Sequence, residues 1–174
     1  ILLDEKNIYQ YIPNLDDYKL NHLSIPQKVD LYRCILLEKY GGLWIDADIL
    51  VVKCLCGYHK KLDKYDYVGF GCGFDRKTCG QQDNGYGRPL NWMMASKPNT
   101  PYLKCIKDSA LEKINTQGKI NYHGIGKDVL KQCHDHLKNE NDWKYYHVNS
   151  KCNEYDSYGN KLNNIFKNFN NSDC

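Results

Sequence analysis

Ser24-Ile25-Pro26-Gln27-Lys28-Val29-Asp30-Leu31-Tyr32-Arg33, running on through Cys34-Ile35-Leu36-Leu37-Glu38-Lys39-Tyr40 to Gly41-Gly42-Leu43-Trp44-Ile45-Asp46-Ala47-Asp48, decides the reading of the fold. Ser24 is a good N-cap, and Pro26 suits a first helical turn. A helix is therefore predicted from about Pro26 to Tyr40. Val29, Tyr32, Leu36 and Leu37 give it an apolar face near the helical period. Gly41-Gly42 stops it, because glycine tolerates a left-handed cap. Leu43-Trp44-Ile45 then reads as a buried strand. Asp46 and Asp48 stand at i and i+2 just beyond it. In extended backbone those side chains point the same way, with Ala47 facing away. Two carboxylates at a strand's end suit a hard cation such as Mg²⁺ or Mn²⁺. In open α/β sheets, ligands bind beyond the carboxyl ends of the strands.

Working outward, Ile1-Leu2-Leu3 reads as the tail of a strand and Asp4 to Tyr11 as a short helix ended by Pro13. Asn14 to Leu23 reads as loop. After Asp48, Ile49 to Val52 should resume extended structure. Tyr58 to Tyr67 reads as a basic, Tyr-rich loop and Tyr67 to Phe70 as a strand. The Gly-rich segment from Gly71 to Arg88 is long enough for a functional loop. Leu90 to Ser96 reads as a strand, Thr100-Pro101 to about Asn115 as a helix, Gly126 to Leu137 as a helix, and Trp143 to Val148 as a strand. The helix after Pro101 should bury Leu103, Ile106, Ala110, Leu111 and Ile114. From Ser150 the chain turns polar and Asn-rich, so 150–174 is expected to be poorly ordered or peripheral. Strands alternating with helices predict an α/β domain with a mainly parallel sheet.

Composition bounds the rest. The 174 residues, 41% hydrophobic, suffice for one core, and one domain is the natural reading. A net charge of +3, from 24 basic and 21 acidic residues, does not suggest a nucleic-acid binder. No apolar run approaches the ~20 residues of a membrane helix, and the N-terminal residues do not read as a signal peptide. The nine cysteines are odd in number and irregular in spacing. Reduced, mostly buried thiols in a cytoplasmic protein are expected from that usage, with the Golgi lumen as the alternative. Cys54-Leu55-Cys56, His59, Cys72 and Cys79 raise zinc, but one residue between paired cysteines is fewer than closed zinc sites usually have.

Asp30 and Arg33 share a helix face. An acidic pair or an i,i+3 ion pair is common on solvated surfaces and weak evidence alone. The odds change when Asp30, Arg33, Gly41-Gly42, Trp44, Asp46 and Asp48 all fall within one run of 19 residues. That string resembles the DXD-containing sugar transferases of glycosyltransferase family 32, which include capsular-polysaccharide and α-mannosyl transferases and are related to the glucosyltransferase domains of clostridial toxins. The close likeness covers about residues 24 to 52, and a looser one continues through Asn91 to Pro98. The resemblance implies a glycosyltransferase-A fold, Rossmann-like with helices flanking the sheet. It also implies retaining transfer from a UDP- or GDP-sugar to a hydroxyl of a glycan, lipid or protein, with Mn²⁺ or Mg²⁺. Asp46 and Asp48 would form the catalytic metal site, Asp48 directly and Asp46 through water. Asp30, Arg33, Trp44, Asp46 and Asn91 would hold the donor. Relatives carry an additional early strand and a late closing segment, so residues 1–174 are expected to be one such domain lacking both. Tyr122 to Gly126 stands where relatives often have Gly-Pro, and no role follows for it. Two alternatives remain: a haloacid-dehalogenase-type phosphatase with Asp46 as nucleophile, and a catalytically inactive nucleotide-sugar-binding module.

Overall fold

The computed structural model describes residues 1–51, 54–71, 89–137 and 144–149. The expected loop over 72–88 and the polar tail over 150–174 lie outside the described residues.

The chain opens with helix α1, Ile8–Tyr11, and a 3-10 turn, Leu15–Asp17. Residues 1–3 form no strand, and Ile1 and Leu2 are exposed. Helix α2 spans Ile25–Tyr40. The Gln27 side-chain oxygen accepts the Ser24 backbone N–H at 3.0 Å and its hydroxyl at 2.9 Å, satisfying a donor that a bare helix start would leave unpaired. At the other end Gly41 has φ +65°, and its N–H donates to Leu37 O at 2.9 Å. A Cβ at Gly41 would lie 2.7 Å from Pro98 Cδ and 2.9 Å from Ser96 O. Both conformation and contact therefore require glycine here.

The turn at Gly41-Gly42 delivers the chain into strand β1, Gly42–Ile45. Helix α3, Cys56–Lys61, follows where the sequence reading placed a loop. Its Tyr and Lys residues carry no apolar period, so only the packing of the turn behind it, through buried Leu62, marks it. Residues 49–51 form no strand. Strand β2 is Tyr67–Gly71, β3 is Pro89–Ser96, helix α4 is Pro101–Thr116, helix α5 is Lys127–Leu137 and strand β4 is Tyr145–Asn149. Thr100 caps α4 by accepting Leu103 N–H at 3.3 Å.

The sheet order is β1-β3-β2-β4. β3 pairs antiparallel with both β1 and β2, and β4 pairs parallel with β2. Helices against a mixed sheet make this an α/β domain. The expected mainly parallel sheet is not found among the described residues: two of the three strand pairings are antiparallel, because β3 lies reversed between β1 and β2, and only β2–β4 is parallel.

Alternate strand residues serve different layers. Tyr67 and Met94 face Cys34, Leu37, Tyr102, Leu103, Ile106, Val129 and Leu130 from the helices. Val68, Met93 and Ala95 face Leu62 on the other side. A third cluster joins α1 and the 3-10 turn to α2 and α4 through Ile8, Ile12, Leu15, Leu31, Ile35 and Ile114. Helix α2 is thus packed on two sides. Its buried residues run almost continuously from Asp30 to Leu37, while Val29 and Tyr32 are only half-buried. The predicted amphipathic stripe was too narrow.

Among the described residues four cysteines are paired, against the reduced state read from sequence. Cys105 of α4 is bonded to Cys133 of α5, and Cys54 to Cys56. Closing 28 residues of chain in this way stabilises the fold by about 3 to 4 kcal/mol in the loop-entropy account. Pairing also removes Cys54 and Cys56 as zinc ligands. Cys34 is a free, buried thiol, its pKa pushed up to about 12 by burial.

Candidate active site

The middle of α2, the end of β1 and the start of β3 meet at one cluster. Arg33 is at its centre and is buried. Its Nη2 contacts Asp30 Oδ1 at 3.0 Å and its Nη1 contacts Asp46 Oδ1 at 3.0 Å. Nη1 also donates to the Asn91 carbonyl, and Nε donates to Val29 O at 3.4 Å. A guanidinium has five N–H donors. These contacts use four of them, so Arg33 chiefly holds the two carboxylates and can give a ligand little more than one N–H.

Trp44 completes the hold on Asp46. Its indole N–H donates to Asp46 Oδ1 at 2.7 Å, and its ring lies 5.3 Å from the Arg33 guanidinium carbon. The strand period puts Trp44 and Asp46 on one side. The Asp46 N–H donates to Trp92 O at 2.8 Å, continuing the β1–β3 pairing one residue past the strand. Asn91 Nδ2 donates to Asp30 Oδ1 at 2.6 Å. Burial pushes the Asp30 carboxyl up to about 6, although the Arg33 guanidinium pulls against the shift.

Asp30, Arg33, Trp44, Asp46 and Asn91, the five residues expected around the donor, are therefore in one connected group. Asp48 is outside it. The chain turns after Asp46, whose carbonyl accepts Ile49 N–H at 3.2 Å, and Ala47 and Asp48 are exposed in that turn. The i,i+2 convergence expected of extended backbone is replaced by a half-buried, anchored Asp46 and an exposed Asp48. Asp46 Oδ2 has no partner among the described residues. Two carboxylates with open oxygens fit Mg²⁺ or Mn²⁺, which one or two carboxylates commonly hold while water and phosphate complete the shell. Among the described residues there is no group of three or more His, Cys, Asp and Glu that could form an all-protein metal site.

Gly126, which sequence reasoning gave no role, also belongs here. It abuts Asp30 and Asn91 so closely that a Cβ would lie 2.5 Å from Asp30 Oδ2. The family resemblance drew attention to Tyr122 to Gly126 as a loop, but nothing local in the sequence shows that Gly126 meets Asp30 and Asn91.

A model of the capsular polysaccharide synthesis protein family matches residues 1–172. The chain belongs to that family. No curated protein and no solved structure matches it. As a capsular polysaccharide synthesis protein it has a glycosyltransferase-type role, that of a biosynthetic transferase acting between a sugar donor and an acceptor. Membership favours this over the phosphatase. Among the described residues no helix is long and apolar enough to cross a membrane.

Proposed function

We propose that this protein is a metal-dependent, retaining glycosyltransferase of the glycosyltransferase-A type, moving a hexose from a UDP- or GDP-sugar to a hydroxyl of a glycan, lipid or protein. The observation that carries the reading is the connected chain Asn91–Asp30–Arg33–Asp46–Trp44 at the carboxyl end of β1, built on the buried Asp30–Arg33 pair, with Asp48 exposed beside it. Buried ion pairs are poor stabilisers, since desolvation offsets most of their attraction. A carboxylate anchored by Arg33 and Trp44 at a strand's end makes better sense as a site than as a strut.

Transfer breaks the bond between the anomeric carbon and the nucleotide's terminal phosphate oxygen and makes one to the acceptor oxygen. The sugar becomes oxocarbenium-like while negative charge collects on the leaving diphosphate. Mn²⁺ or Mg²⁺ held by Asp48, with Asp46 supporting, would supply Lewis-acid stabilisation of that charge. Arg33 and Trp44 fix Asp46, so no reorganisation is needed during the reaction. Asp30 and Asn91 orient the donor sugar through hydrogen bonds. The acceptor attacks from the face the diphosphate leaves, and its proton passes to a donor phosphate oxygen, so no side chain serves as general base.

The paired cysteines favour a disulfide-permissive compartment, the lumenal alternative, over the cytoplasm.

Thermal unfolding with UDP, GDP and their sugars, each with Mn²⁺, Mg²⁺ or EDTA, tests the reading, because a selective ligand raises Tm by mass action. One nucleotide should stabilise the protein only with metal, and Asp48→Ala should abolish the gain while leaving the ligand-free Tm nearly unchanged, its side chain being exposed. Metal-dependent turnover surviving in Asp48→Ala would sink the assignment. Stabilisation without turnover would point to the inactive binding module instead.

A further inference from the structure

Gly126 immediately precedes α5, and its α-carbon faces the two residues that hold Arg33. A Cβ there would lie 2.5 Å from Asp30 Oδ2, 2.7 Å from Asn91 Nδ2 and 3.0 Å from Asp30 Cγ. Gly126 is not among the glycines with positive φ. Alanine would therefore suit its backbone, and the objection to a side chain is purely steric.

The wall that Gly126 forms cannot easily retreat. Gln27 Nε2 donates to Ile120 O at 3.0 Å and Asn121 O at 3.2 Å, tying the loop to α2. Lys113 Nζ donates to Gly124 O at 3.0 Å, tying it to α4. Gly126 O accepts from Val129 N and Leu130 N, each at 3.1 Å, tying it to α5. The Asp30 carboxylate and the Asn91 amide would have to yield instead.

We infer that Gly126 is a positioning residue for the donor site. Its bare α-carbon lets the start of α5 close on the Asp30–Asn91 pair and fixes that pair against Arg33, and through Arg33 it fixes Asp46. The inference rests on reading the Asp30–Asp46 cluster as the donor site.

Three glycines of one region allow a controlled test in the full chain. A Cβ at Gly118 meets nothing within 4 Å. One at Gly124 would crowd Ile120 Cγ2 at 2.7 Å, within the loop itself. Gly118→Ala, Gly124→Ala, Gly126→Ala and Asp30→Asn are compared by ligand-free Tm and by donor KM and kcat with the UDP- or GDP-sugar and metal that stabilise the wild type. Gly118→Ala should match wild type. Gly124→Ala should lower Tm and leave KM within about twofold, whereas Gly126→Ala should raise donor KM about tenfold or more with a smaller change in kcat. If Gly126→Ala follows Gly124→Ala in KM, its part is structural and the inference is overturned. If Asp30→Asn raises KM and Gly126→Ala does not, only this inference falls; if Asp30→Asn leaves KM unchanged, the donor-site reading falls first. Should Gly126→Ala be too unstable to assay, Asn91→Ser/Gly126→Ala, which removes the amide nitrogen from the clash, is set against Asn91→Ser. A further rise in KM supports the inference, and equal KM overturns it.

Discussion

Asp30–Arg33 on α2 and Lys131–Asp135 on α5 look alike in sequence: opposite charges about one helical turn apart. Their surroundings differ completely. The side chains of Arg33 and Asp30 are 5% and 12% exposed, and those of Lys131 and Asp135 are 34% and 45% exposed. The α5 pair lies on the solvated side of a helix, where such contacts contribute little. The α2 pair is enclosed because helices cover α2 on one side and the sheet on another, and its charges reach a third element through Asp46. The comparison teaches that spacing decides which charges can meet and the rest of the fold decides what the meeting is worth.

The largest expected effect comes from breaking the buried side of the comparison. Arg33→Ala strands Asp30 and Asp46 and should destabilise the protein by about 3 to 5 kcal/mol. Chemical denaturation measures this directly, and a loss below about 1 kcal/mol would mean the cluster is solvated, as a surface pair is. Metal-dependent donor binding should vanish with it.

Next is the pH dependence of Asp30. Its folded pKa, about 6, stands above the ordinary value of 3.8. The native state therefore holds this proton more tightly than the unfolded chain. Asp30's contribution is full below the unfolded pKa and is lost as pH rises from about 4 to about 6, a change on the order of 3 kcal/mol. Asp30→Asn should flatten that part of the stability profile relative to wild type. Donor affinity should move the opposite way, weakening as pH falls through about 6, because a neutral Asp30 no longer pairs with Arg33. Parallel pH profiles for wild type and Asp30→Asn would contradict both statements.

The smallest effect belongs to the exposed pair. Lys131→Ala should cost about 0.4 kcal/mol, and less in high salt. A cost approaching that of Arg33→Ala would erase the distinction on which the comparison rests.

Much of the scaffold was legible locally. Ser24, Pro26 and Gly41-Gly42 marked both ends of α2, and Thr100-Pro101 marked the start of α4. Short apolar runs marked β1 and β2, while those at 1–3 and 49–51 formed no strand. What stayed illegible depends on distant partners. The reversal of β3, the burial of Arg33 and the Cys105–Cys133 bond each join parts of the chain that no window spans. Asn91 meets Asp30 across 61 residues, and only family resemblance placed them together. Asp46 and Asp48 were found as residues, but their division into an anchored carboxylate and an exposed one follows from a turn that the period-2 argument did not foresee.

Gln27 uses both ends of one carboxamide. Its oxygen completes the first turn of α2, and its nitrogen grips the carbonyls of Ile120 and Asn121. Helix start and distant loop therefore share a fastening and should open as one cooperative unit. In native-state hydrogen exchange, the amides of Ser24 and the Ile120–Gly126 loop should then report a common opening free energy. The site would come apart at its edge in a single step, without a series of looser intermediates.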